Sequence, residues 1–382
     1  MPVNDAVEYG HTTLKPGIRS RFVENGNGLT LHCLEAGDPA GPTVLLLHGF
    51  PELAYSWRHV LLPLADSGYH VIAPDQRGYG RTTGWDPDYD GDPASYRMLN
   101  LVRDTVGLVH ALGRDHVAAV VGHDFGSPVA AWCTLTHPDV FRSVVLMSSP
   151  FGGPPAAPLP SSDVASIHED LAALPAPRKH YQWYYSTREA NEDMWRCPQG
   201  VHDFLRAYYN YKSADWAQNR PHPLEAWTAT ELARMPKYYV MDLDKGMAET
   251  VASEMPAPST IEPHRWLTDD ELRVYSGEYE RTGFQGGLQW YRCATGKTFR
   301  PELRAYAGRT IDVPCSYIAG KSDWGTFQSP GSFERMQTDA CTAFQRAHLI
   351  DGAGHWVQQE QPETVCRILT RNHLPKPNRS GA

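Results

Sequence analysis

No apolar run in this chain reaches the length of a membrane span; the densest, at residues 44–47 and 144–147, are the size of single strands. The opening residues MPVNDAVEYG lack the basic-then-apolar pattern of a secretory leader, so a cytoplasmic protein is expected. There is no basic surplus either: 35 Lys and Arg stand against 44 Asp and Glu, a net charge of −9. Nucleic-acid binders carry a basic stripe or excess, so the expected partner is a small neutral molecule and not a nucleic acid. Cysteine is sparse and unpatterned. Seven thiols (Cys33, Cys133, Cys197, Cys293, Cys315, Cys341 and Cys366) make an odd count with no CxxC spacing. That argues against a disulfide framework and against a thiolate zinc site, and no metal or cofactor is expected. Internal repeats and low-complexity tracts are also missing. Nothing in the sequence fixes an oligomeric state, and a homo-oligomer is left open.

What the chain does have is 382 residues, 41% of them hydrophobic, enough for one large core with an inserted second layer. Residues 19–24 and 29–34 read as a strand pair around the turn Asn25-Gly26-Asn27-Gly28. Short apolar runs at 43–47, 71–73, 117–121 and 143–147 read as buried strands. Between the second and third of these, Met98, Leu101, Val102, Thr105, Leu108, Val109 and Leu112 mark one helical face that Gly113 ends. Strands alternating with helices imply an α/β protein with a mostly parallel, twisted sheet flanked by helices. After Ser149 the texture changes: Pro150, Pro154, Pro155, Pro158 and Pro160 form a neck, and the following stretch is rich in Trp and Tyr with few strand signals. Strand texture returns at 313–319 and 348–350. The boundaries expected are a first core part at 1–151, a helical cap (lid) domain at 152–298 and a second core part at 299–382. A pocket between core and cap is the default site.

Gly122-His123-Asp124-Phe125-Gly126 lies between a strand and a helix-like segment. Small residues two places either side of a central side chain permit the sharp turn that lifts that side chain above the sheet's end. The centre of such elbows is commonly Ser; here it is Asp124. A carboxylate attacks a carbonyl poorly but serves against an sp³ carbon with an activated leaving group, so Asp124 points to an alkyl-enzyme ester and away from acyl transfer. An Asp that merely caps the following helix is the bland alternative. His48-Gly49-Phe50-Pro51-Glu52 follows the first buried strand. The backbone N–H groups of Phe50 and Phe125 are the expected oxyanion hole, with His48 structural. His355, in Gly352-Ala353-Gly354-His355-Trp356 after the last strand, is the expected base, and Asp323, in Gly320-Lys321-Ser322-Asp323-Trp324, the carboxylate that orients it.

HGFPE at 48–52 with Ser56-Trp57-Arg58, DQRGYG at 75–80, GHDFG, GKSDW and GAGHW together resemble the epoxide hydrolases of the α/β-hydrolase fold superfamily, the soluble aspartate-nucleophile type. Within the cap the stretch TGFQGGLQWYR at 282–292 resembles the segment that carries one ring-opening tyrosine, here Tyr291. YQWYY at 181–185 resembles the one that carries the other, here Tyr181, with Tyr184 and Tyr185 as close rivals. The resemblance implies hydrolysis of a lipophilic epoxide to a vicinal diol, with water as co-substrate and a detoxifying role. The chemistry fits, because an opening epoxide develops an alkoxide too basic to leave unaided and a phenol can protonate it. Trp57, Trp183, Phe284, Trp290, Trp324 and Trp356 are candidates for the pocket lining, although core packing would look the same. Two rivals remain. A haloalkane dehalogenase would use the same aspartate but needs N–H donors for halide, typically from a Trp after the nucleophile, where this chain has Phe125. A catalytically silent binding protein on the same fold typically loses a triad member, and none is missing here. Residues 238–266, including YYVMDLDKGMAE, have no role readable from the sequence.

Overall fold

A computed structural model describes residues 10, 12–156, 164–261 and 266–376. Its strands are β1 (Arg19–Glu24), β2 (Thr30–Ala36), β3 (Thr43–Leu47), β4 (His70–Pro74), β5 (Ala119–His123), β6 (Val144–Met147), β7 (Arg178–His180), β8 (Val240–Asp242), β9 (Cys315–Gly320) and β10 (Phe344–Ile350). Eight of them form one sheet in the order β1-β2-β4-β3-β5-β6-β9-β10. The β1–β2 and β2–β4 pairs are antiparallel and the remaining pairs parallel. Every residue of β3, β4, β5, β6 and β9 is buried, as expected of strands covered on both faces. The edge strands β1 and β10 are largely exposed or half-exposed, which is why the polar start of β10, at Gln345 and Arg346, hid four residues of it from the sequence reading.

Two helices beside the central strands matter for the site. Helix α1 (Met98–Ala111) buries Leu101, Val102, Leu108 and Val109, as its 3.6-residue spacing requires, and Gly113 follows it at φ 71°. Only Asp124 and Phe125 separate the end of β5 at His123 from helix α2 (Gly126–Thr136), which is buried over almost its whole length. Because β5 runs to His123, two residues beyond the stretch read from sequence, Asp124 stands directly at the strand's C-terminal end.

Between β6 and β9 none of the described residues joins the eight-stranded sheet. This insert contains helices α3 (Tyr181–Tyr185), α4 (Gly200–Lys212), α5 (Asp269–Thr282) and α6 (Gln285–Thr295). It also contains a two-stranded antiparallel ribbon, β7 with β8, which the expectation of a purely helical insert did not include; three-residue strands are too short to show a period of two. The ribbon gives the previously roleless stretch after Tyr238 a purpose. The Tyr181 N–H donates to the Tyr239 carbonyl (2.9 Å), so β8 fixes the start of α3.

The insert is bonded to the sheet's loops by buried polar groups. Tyr209 and Tyr279 donate to the carbonyls of Pro51 (3.0 Å) and Glu52 (3.1 Å) in the HGFPE loop, and Trp290 Nε1 donates to the Arg77 carbonyl (2.8 Å). Arg58 reaches Glu271 (2.8 Å), the Trp266 carbonyl (2.8 Å) and Gln359 (2.7 Å). Glu271 is itself the third residue of a capping box with Thr268 that starts α5. A guanidinium this buried needs each of these acceptors, so the SWR motif is a clamp between insert and core. Among the described residues no helix is long and apolar enough to cross a membrane.

Candidate active site

Backbone geometry explains why one carboxylate is surrounded by small residues. Asp124 has φ 50°, a left-handed conformation that costs a side-chain-bearing residue on the order of 1 kcal/mol. A Cβ on Gly122 would meet the Gly126 carbonyl oxygen at 2.1 Å, and one on Gly126 the Leu47 carbonyl oxygen at 2.4 Å. One on Gly49 would lie 2.3 Å from Asp124 Oδ1. Without these three glycines the turn between β5 and α2 could not hold Asp124 against the HGFPE loop.

The two oxygens of Asp124 face different partners. Phe50 N–H donates to Oδ1 (2.9 Å), and His355 Nε2 lies 3.1 Å from Oδ2. The other ring nitrogen of His355, Nδ1, lies 3.0 Å from Asp323 Oδ1, which also accepts the Gly325 N–H (2.7 Å). All three side chains are buried. Nucleophile, base and orienting carboxylate thus come together from the ends of β5, β10 and β9. Of the two N–H groups expected to form an oxyanion hole, only that of Phe50 is bonded to Asp124 among the described residues. Phe125 is the N-cap of α2.

Burial alone would push the Asp124 carboxyl up, but its bond to His355 and the charges of His355, Lys212 and His123 hold it well below the usual carboxylate range. Asp323 is held down too: burial opposes, and the His355 charge and hydrogen bond prevail. Burial and Lys212 push the His355 imidazole down, and the two carboxylates push it up further, so it ends above its ordinary value.

The Tyr181 and Tyr291 rings lie 6.0 Å apart, centre to centre, and Tyr291 stands edge-on to Phe50 and Phe125. Burial first and the Asp124 charge second raise both phenols well above 10, so both remain neutral donors. Tyr181 currently donates to Gln328 Oε1 (3.1 Å) and accepts from Gln182 (3.2 Å). The rivals point elsewhere: Tyr184 donates to Asp193 (2.7 Å), and Tyr185 donates to Tyr208 (3.2 Å).

The aromatic residues suggested as pocket lining divide. Trp290 and Phe125 line an apolar cavity of about 200 Å³ with Met98, Leu101 and Leu303. Trp356 stands edge-on to the His355 ring at 4.7 Å, but its Nε1 donates to the Tyr209 carbonyl and its ring stacks on Tyr209, so it supports the base. Trp324 follows Asp323 and packs against His222; Trp183 packs between His168 and His180. Trp57 and Phe284 do not line that cavity. Trp57 is wholly buried in the turn Ala54–Trp57, and Phe284 stacks on Tyr279 (4.4 Å) behind Phe50. Bulky aromatics serve packing and lining equally well, and sequence alone does not separate the two. His48 is structural as expected: its Nδ1 lies 2.9 Å from the Gly49 carbonyl oxygen and its Nε2 accepts the Gln76 N–H.

Four groups at the site were not singled out in the sequence. Glu52 and His123 form a wholly buried pair (2.5 Å) beneath the triad, and His123 Nε2 reaches the His355 carbonyl (2.7 Å). Both stand inside quoted motifs, which was the available signal. Glu360 accepts N–H bonds from Ala214, Gly354 and Trp356, clamping the His355 loop to the end of α4. Lys212, the last residue of α4, is brought to the triad only by the tertiary fold.

Residues 42–362 match the family model described as the alpha/beta hydrolase fold. The chain is 33% identical over 358 residues to epoxide hydrolase B of Mycobacterium tuberculosis, covering 90% of this chain and 95% of the relative. It is 34% identical over 361 residues to epoxide hydrolase A of the same organism, covering 92% and 97%. Among solved structures, an epoxide hydrolase from an endophytic Streptomyces superposes with a TM-score of 0.74 at 33% identity, over 93% of this chain and 95% of that one.

Proposed function

Because the chain belongs to the α/β-hydrolase-fold family and within it is an epoxide hydrolase, we propose that it converts its epoxide to a diol through a covalent ester on Asp124. The observation that carries this reading is the placement of His355 between the carboxylates of Asp124 and Asp323, with the neutral Tyr181 and Tyr291 phenols close to the same Asp124 charge. In the first step an Asp124 oxygen bonds to one epoxide carbon while that carbon's bond to the ring oxygen breaks. The ring oxygen takes a proton from Tyr181 or Tyr291, leaving a phenolate. In the second, His355 takes a proton from water as the water oxygen attacks the ester carbonyl carbon, and the Phe50 and Phe125 N–H groups receive the oxyanion. Collapse breaks the bond between the carbonyl carbon and the oxygen carried by the substrate. That oxygen takes the proton held by His355, and the carboxyl proton returns to the phenolate.

The insert, read from sequence as 152–298, acts as the cap that supplies both phenols and closes the pocket. The apolar cavity beside Phe125 and Trp290 favours a lipophilic substrate arm. The seven cysteines are free thiols, which fits the cytoplasm. Incubation with styrene oxide and with a haloalkane tests the reaction class. Diol without halide is expected, as the Phe125 side chain offers halide no N–H donor; halide release with no diol would overturn the assignment.

A further inference from the structure

Lys212 is the residue the triad reading leaves unused. It is 3% exposed, and among the described residues no carboxylate lies within ion-pair distance of its ammonium. A buried lysine without a carboxylate partner is expensive and rare in a core unless something else accounts for it; here the Tyr208 hydroxyl is one partner. Part of the answer is local. Nζ lies 5.3 Å from the Tyr208 ring centre, 5.8 Å from Tyr238, 5.0 Å from Tyr239 and 5.4 Å from Trp356, a cage of four ring faces. The residue also closes the C-terminal turn of α4, where the helix dipole favours a cation. The rest of the answer is position. The Lys212 carbonyl accepts the His355 N–H (2.9 Å), and a Cβ on Gly354 would strike that same carbonyl at 2.6 Å, so the end of α4 is seated on the loop that holds the base.

We propose that Lys212 is a positioning residue whose fixed positive charge, held in this aromatic cage, keeps His355 in its neutral, proton-accepting form once Asp124 has been esterified. Charged groups reach the imidazole from several elements. Asp124 faces it from the β5–α2 turn, Asp323 from the loop after β9, and His123 from the end of β5 with Glu52 behind it. Lys212 acts on it from the end of α4, and Glu360 holds its loop through the Gly354 N–H; Tyr208, Tyr238 and Tyr239 surround the Lys212 ammonium, and Tyr181 and Tyr291 lie near the Asp124 charge. In the free enzyme two carboxylates favour the imidazolium. Esterification removes one of them, and Lys212 then opposes the other, Asp323. Its effect on both Asp124 and His355 has the sign this requires, lowering each.

The proposal rests on the covalent reading above, and the experiment separates the two. With styrene oxide in single turnover, intact-protein mass spectrometry follows both the ester and its decay across pH. Absence of ester in the parent enzyme would count against the covalent reading itself. With ester present, Lys212→Met should alkylate within a few-fold of the parent, while ester decay should keep a near-parental plateau at high pH. On the acid side its deficit should deepen about tenfold, as the loss of a nearby opposing charge raises the imidazole. Lys212→Arg should keep the parental profile. Lys212→Gln, uncharged but still a donor, is measured alongside in case the Met variant does not fold, and should behave like it. A uniform loss at every pH, or an unmoved acid limb in whichever neutral variant folds, would reduce Lys212 to a packing role and overturn the proposal.

Discussion

His355→Gln is expected to abolish turnover and leave an enzyme that alkylates once and stops. Glutamine cannot take a proton from water, so the ester has no route to hydrolysis. Asp124 should remain ionised in this variant, since the Phe50 N–H (2.9 Å) and the Lys212 charge both favour the carboxylate. Addition of substrate should therefore raise the intact protein mass by one epoxide, with the adduct on the peptide containing Asp124. The parent enzyme, whose base clears the ester, should show the adduct only transiently. An unmodified mass in a folded variant would contradict the separation of nucleophile and base.

Removing both phenols should slow the other half of the reaction. Tyr181→Phe combined with Tyr291→Phe leaves the opening epoxide oxygen with no acid, and alkylation should fall roughly 10²–10⁴-fold. The hydrolytic step should be little changed, because it depends on His355 and the oxyanion donors. Each single variant should lose less, as one phenol remains. Parental ring opening by the double variant would shift the acid role to water or to Tyr185, whose hydroxyl is at present bonded to Tyr208.

The two steps map unevenly onto what was legible in the sequence. Asp124, Asp323 and His355 were readable because each sits in a short motif soon after a strand, and parallel strands bring their C-terminal ends to one edge. The strand order and the antiparallel pairing of β2 with β4 were not, since such pairing depends on long-range contacts that leave no local mark. Tyr181 could be found only with its rivals. The choice among Tyr181, Tyr184 and Tyr185 depends on the turn of a five-residue helix, and that turn is set by a bond to Tyr239 on the distant β8 side. Lys212 lay outside any motif. Its helix has buried residues on most sides, and a lysine there reads as a solvated end until the fold encloses it. Trp57 and Phe284 are buried and packed, Phe284 against Tyr279, and aromatic size in a sequence does not tell such packing from pocket lining.

Two routes to a diol fit a carboxylate bonded to an imidazole, with two phenols close to its charge. In one, an Asp124 oxygen makes the new carbon–oxygen bond and water later attacks the ester. In the other, Asp124 is only a base that activates water for direct attack on the substrate. A single turnover in ¹⁸O-water with enzyme in excess separates them. The covalent route predicts a diol whose new hydroxyl carries ordinary ¹⁶O and an Asp124 peptide that gains ¹⁸O. Labelled diol from the first turnover, with an unlabelled peptide, would contradict it.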